Sequence, residues 1–325
     1  MMIMSAVPFS FGELLILLGV ILVIVGLPAA VVSAAALKKH RKKILVFTAK
    51  FFAWVIVYIT VTETLNCFVQ YHNTLASDKY FPDAPDGYTP AELTAMCEYI
   101  IEQADDLAEK QVRDADGNII IPDDLRERCA AAVGCVSDRY TLMRGFVPQP
   151  KKIFFSRFMS QMDLQGIYFP FTMETNYNPD MSPSRIPCTV VHETAHTKGY
   201  IREDEATFIS CCACMESGDE LFMYSGYLTA MNYSVNSVWK YISDEEKIRL
   251  SGMISDTVRA DNKFLPDKYA EELEEKTVFK NETVSKASEK AMNTSLVLNG
   301  VSDGKKSYSR MVDLLLDYYY ENTAE

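Results

Sequence analysis

Two stretches of this chain are too apolar to be left in water. Residues 11–37 carry one charge, Glu13, and residues 44–68 carry two, Lys50 and Glu63, each near an end. A helix needs about 20 apolar residues to cross a bilayer, and both stretches exceed that. Long charged side chains near the ends of a span can reach the interface. The sequence therefore predicts two transmembrane helices within residues 1–71. Between them, "KKHRKK" at 38–43 is the densest positive cluster in the chain. Short loops of that kind stay in the cytoplasm, so both flanks are expected outside, in a multi-pass protein of the cell membrane. A cleaved signal peptide would need positive charge ahead of its apolar stretch, and none precedes Phe11.

The rest of the chain is polar and acidic. Six of the 32 basic and two of the 44 acidic residues precede Cys67, which leaves the remainder near −16. Such a surface repels nucleic acid and anionic lipid headgroups, so no nucleic-acid partner is expected. The eight cysteines show no regular spacing that would mark a disulfide framework. "SCCAC" lacks the two-residue gap of a zinc knuckle and reads as small buried side chains.

Residues 72–88 are rich in Pro, Asp and turn formers and read as a linker, which leaves 89–325 as one outer domain. Thr89 and Pro90 followed by an acidic first turn start a helix, and "PDDLRERCAAAVGCVSDRYTLM" predicts a second. "KKIFFSRF" and "GIYFPFTMETNYN" carry aromatic and β-branched residues in short runs and predict strands. Helical spacing then returns over 187–200, 203–217, 220–242, 244–261, 267–292 and 307–320. The fold class expected is α+β, mostly helical with a small sheet, preceded by two transmembrane helices.

The chain has four histidines, and two of them stand four residues apart in "VVHETAHTKGYIREDEATF". On a helix, His192 and His196 would lie one turn apart on one face and could grip a single ion of borderline softness. Glu193 would point beside that ion toward a water, as in the H-E-x-x-H arrangement of zinc hydrolases. A catalytic zinc site takes three protein ligands and keeps a fourth position open. Glu203 is the first choice for the third, because it shares a stripe with the small residues Ala206, Ser210, Ala213 and Ser217 that permits close helix approach. Glu205 is the runner-up. A tyrosine is needed as oxyanion stabiliser once the histidines are spent; Tyr308 is the candidate, with Tyr224 and Tyr227 behind it.

"HETAHTKGYIREDEATF" resembles the signature of a family of bacterial membrane proteins with two or three spans and a zincin-like outer domain, catalogued mainly as a domain of unknown function. "GIYFPFTMETNYN", "FMYSGYLTAMNY" and "KSYSRMVDLLLDYY" extend that resemblance over residues 11–319. The site is also similar to gluzincins of the CAAX-prenyl-protease type, where E-x-x-A supplies the metal-binding glutamate; Glu203 and Ala206 occupy those positions. Thr207 stands where those proteases usually carry Asp or Asn, and the stretch from His196 to Glu203 is much shorter than theirs. The resemblance implies a zincin-like metallopeptidase domain.

The activity expected is zinc-dependent hydrolysis of a peptide or protein substrate outside the cytoplasmic membrane. The strand over 168–176 reads either as a core strand or as one beside the cleft, where it could hold an extended substrate by backbone pairing. A zinc-binding sensor or scaffold with an idle site is the alternative, and Glu193 argues against it, since a pure binding site has no need of a base. An intramembrane protease fits less well, because the histidines lie about 120 residues beyond the second apolar stretch.

Overall fold

A computed structural model describes residues 1–82, 87–277, 281–298 and 307–323. Two helices, Phe11–Ala36 (α1) and Arg41–His72 (α2), are long and apolar enough to cross a membrane. They form an antiparallel hairpin whose turn, residues 37–40, holds part of the basic cluster. Their apolar side chains face outward, among them Ile24, Phe47 and Trp54, which a surrounding apolar medium would cover. A wide turn interrupts each helix, at Leu22–Gly26 in α1 and Thr64–Phe68 in α2.

The domain is mostly helical with a three-stranded sheet. Pro90–Ala108 (α3) starts where its sequence predicts: Thr89 accepts from the Glu92 amide, and Glu92 reaches back to the Thr89 amide. Leu125–Val136 (α4) follows. The strands are Lys151–Lys152 (β1), Gly166–Phe169 (β2) and Glu174–Tyr177 (β3). β3 is central, parallel to β1 and antiparallel to β2. The remaining helices are Ile186–Thr197 (α5), Glu203–Met215 (α6), Glu220–Val238 (α7), Asp244–Met253 (α8), Asp256–Asp261 (α9), Asp267–Lys276 (α10), Asn281–Leu298 (α11) and Ser307–Thr323 (α12). α5, α6 and α7 pack on one another, with α3 and α12 against their outer faces. Phe208 on α6 is fully buried among the rings of Phe81, Tyr140 and Tyr318. A fully buried side chain of that kind contributes about 1.5–3 kcal/mol. All eight cysteines carry free thiols, and Cys188, Cys211, Cys212 and Cys214 are core side chains.

Four expectations need correction. The helix foreseen over 267–292 ends at Lys276, with Thr277 extended (ψ 138°), and a separate helix, α11, follows. The strand foreseen over 168–176 is a hairpin, because the chain turns at 170–173 with Met173 at φ +55°. "FFSRF" is not a strand: Ser156–Gln161 is a short helix, and the Phe154 and Phe155 amides bond to Glu13, 141 and 142 residues away, instead of to a neighbouring strand. The helix foreseen over 244–261 breaks at Ser255, whose hydroxyl caps α9.

The hairpin is built into the domain at both of its free ends. The first amides of a helix have no intrahelical partner, so where protein buries them they need acceptors from elsewhere in the chain. Glu174 on β3 supplies them, accepting from the Phe11 amide at 3.1 Å and the Gly12 amide at 2.6 Å. Its negative charge also suits the positive end of the helix dipole. Lys151 on β1 forms a fully buried ion pair with Glu174 and donates to the Met4 carbonyl at 2.7 Å. Glu13 answers in the other direction, accepting from the Phe154 and Phe155 amides. From α2, Tyr58 donates to the Phe171 carbonyl at 2.6 Å and Asn66 to the Pro170 carbonyl at 2.7 Å.

Candidate metal centre

α5 carries both histidines and ends where glycine permits. Pro187 sits in its first turn, where no intrahelical amide bond is lost. Gly199, at φ +102°, takes the left-handed conformation that closes a helix, and the Tyr200 amide bonds back to the Ala195 carbonyl. The chain then needs only residues 200–202 before α6 begins at Glu203. That short connection folds the glutamate back over the histidine face.

His192 and His196 face one another with ring centroids 4.6 Å apart. Glu203 bridges them, with Oε2 3.2 Å from His192 Nε2 and Oε1 3.7 Å from His196 Nε2. The three ligand atoms lie within 4.8 Å of one another, a group able to hold a metal ion. Each outer ring nitrogen is also engaged. His196 Nδ1 meets the Tyr200 carbonyl at 2.8 Å, which makes Nδ1 the donor and leaves Nε2 to face the group. His192 Nδ1 lies 3.3 Å from Thr207 Oγ1, so the residue standing where Asp or Asn was the family expectation meets a histidine of the group.

The site is closed at the back and open at the front. The His196 side chain is 8% exposed and that of Glu203 is 48% exposed, so the group opens to solvent on the Glu203 side. Glu193 is buried behind the histidines, and its Oε2 has no hydrogen-bond partner. A buried carboxylate oxygen without a protein partner is costly and calls for a water, an ion or a ligand. Burial raises the Glu193 carboxyl to about 7, against the opposing pull of the two histidines. Burial disfavours a charged His196, yet the Glu203 carboxylate, Glu193 and the Tyr200 carbonyl raise it to about 9. Burial likewise disfavours ionised Glu203, but His196 and His192 outweigh it and hold the carboxyl well below its usual range.

Gly166 on β2 is the neighbour that sequence reasoning missed. A Cβ there would stand 2.7 Å from Glu193 Cγ and 2.8 Å from Cδ, so any larger residue would shift the carboxylate from its observed place. A lone glycine in a strand signals close approach of another group, and that clue was present in "QGIYF". Tyr168 was also missed as a neighbour of the ligands; its ring centroid lies 6.1 Å from that of His196.

The other candidates lie elsewhere. Glu205 turns away and accepts from the Ala76 amide at 2.8 Å, tying the start of the linker to α6. Asp204 pairs with Arg310 at 2.5 Å. Tyr224 donates to Asp261, and Tyr227 meets Tyr99, so both hydroxyls are committed within the core. Tyr308 falls in the first turn of α12, and its side chain lies outside the described residues.

Replacing Thr207 with Val should weaken metal binding about 10–100-fold, the usual effect of removing a partner that orients a ligand. Competition against a chromophoric chelator measures this, and an unchanged affinity would reduce Thr207 to a packing residue.

A family model described as a protein of unknown function (DUF3810) matches residues 1–316. No curated protein and no solved structure matches the chain.

Proposed function

The chain belongs to the DUF3810 family, and we propose that it is a membrane-anchored zinc metallopeptidase with a zincin-like domain on the extracytoplasmic side. The observation that carries this reading is the orphaned Oε2 of Glu193, buried beside two imidazoles and a carboxylate. Zinc suits that donor set: ligands about 2.0–2.1 Å from a tetrahedral ion stand about 3.3 Å apart. The three ligand atoms lie within 4.8 Å of one another, so modest side-chain adjustment would bring them onto one ion. The basic cluster at the hairpin turn, the end remote from the domain, supports the sidedness.

Bound zinc would polarise the scissile carbonyl and lower the pKa of water toward about 7. The protein's own groups do the rest. Glu193 takes the proton of the attacking water at Oε2 and delivers it to the leaving amine. Gly166 keeps that carboxylate in register. β2 is an edge strand, and among the described residues no strand pairs with its outer side, so an extended peptide can add there beside Glu193.

The test is metal content and cleavage of a peptide library by the full chain in detergent. One zinc per chain is expected, with cleavage abolished by a chelator and restored by zinc. Glu203→Gln should lose the metal, and Glu205→Gln should keep it. Stoichiometric zinc with no cleavage of any peptide would replace the peptidase by a metal sensor or scaffold.

A further inference from the structure

Resting on that peptidase reading, we propose that the substrate is a polypeptide anchored in the same bilayer, cut in the few residues that emerge from its own membrane span. Although the histidines follow α2 by about 120 residues in sequence, the segment joining the ligand helices rests on the end of α2. Arg202 donates to the Tyr71 carbonyl at 2.7 Å. Gly199 lies so close to Gln70 that a Cβ would meet its Oε1 at 3.4 Å. Tyr71 and Ile201 form a buried apolar cluster with Cys67 and Tyr168, the residue whose ring stands beside His196.

Helix geometry sets the depth. At about 1.5 Å per residue, a hydrocarbon core of about 30 Å that begins near residue 44 ends near residue 64. The bonds from Tyr58 and Asn66 to the turn between β2 and β3 bracket that boundary, so the tip of the sheet reaches into the outer leaflet. Next to it Phe154, Phe155 and Phe158 are 83, 47 and 56% exposed, and Glu13 in the first turn of α1 holds the first two by their amides. These rings continue the apolar surface of the hairpin, and lipid is the occupant that covers both.

β2 therefore runs from the catalytic group to the membrane. Gly166 lies against Glu193, and the strand leads through Phe169 to Pro170 and Phe171 at the hairpin. At about 3.3 Å per residue, Gly166 to Phe169 spans about 10 Å. A peptide paired along that edge enters the lipid within about three to six residues of the scissile bond. A span that anchors it supplies a high local concentration and the right heading.

The experiment uses the full chain in phosphatidylcholine–phosphatidylglycerol vesicles and one cleavable sequence in three forms: free, tethered to a transmembrane segment by a spacer of about five residues, and tethered by about twenty. The short tether should be cut at least about tenfold faster than the long one at equal surface density, since both share the two-dimensional concentration and differ only in reach. Equal rates for short and long tethers would overturn the proposal. Phe154→Ser/Phe155→Ser/Phe158→Ser should lose the short-tether advantage while still cutting the free peptide. Independently of catalysis, a benzophenone side chain in place of Phe155 should label phospholipid on irradiation; labelling only of protein would overturn the membrane seat. Zinc-loaded protein that cuts none of the three forms would fail the peptidase reading itself, whereas cleavage of the free form alone would fail only this inference.

Discussion

Glu174→Ala should destabilise the protein by about 3–5 kcal/mol, the effect of stripping the partner from a buried charge. Two losses coincide at this residue. Lys151 would be left with an ammonium group buried and unpaired, and the Phe11 and Gly12 amides would lose their acceptor where water cannot replace it. Thermal unfolding in detergent micelles measures the shift. Lys151→Met combined with Glu174→Leu should recover part of it, because two apolar side chains of similar volume remove the stranded charge. Recovery should stay incomplete, since the two amides still lack an acceptor. A loss below about 1 kcal/mol for Glu174→Ala would mean that these groups reach water, and the account of the seated hairpin would fail.

Glu193→Gln should lower cleavage about 10²–10⁴-fold, the range for loss of a general base, with zinc content unchanged. The amide keeps the size of the carboxylate but cannot take a proton, and the three metal donors are other residues. Gly166→Ala should act in the same direction for a steric reason, since the new Cβ would stand within 3 Å of the Glu193 side chain and must shift its carboxylate. Single-turnover rates paired with metal analysis separate the two effects from loss of the ion. Full activity in Glu193→Gln would mean that another group takes the proton. Full activity in Gly166→Ala would mean that the Glu193 position is not critical.

What could be read from the chain was local, and what escaped was set by distant partners. The apolar runs announce themselves because lipid tolerates few charges, and the Thr89 cap and the spacing of His192 and His196 follow from one helical turn. Glu203 lies next to the histidines, the side to which its stripe of small residues pointed, while Glu205, two positions on, bonds the Ala76 amide. "KKIFFSRF" misled because strand propensity cannot foresee that Glu13 captures two of its amides. The turn at 170–173 was hidden for the same reason: Tyr58 and Asn66, over a hundred residues earlier, bond its carbonyls. The helix over 244–261 carried its own break signal in Ser255 followed by Asp256, outweighed there by apolar spacing.

Glu174 also sets an order of events during synthesis. The first apolar helix emerges from the ribosome long before the carboxylate that finishes its first turn, which is 163 residues away from Phe11. Closing a loop of that length is a late, slow step that rewards nothing until both ends meet. Until then the two amides must find another acceptor. Anchor and domain accordingly mature in one event. A nascent chain stalled before residue 174 would leave the Phe11 and Gly12 amides without the carboxylate that receives them in the finished protein.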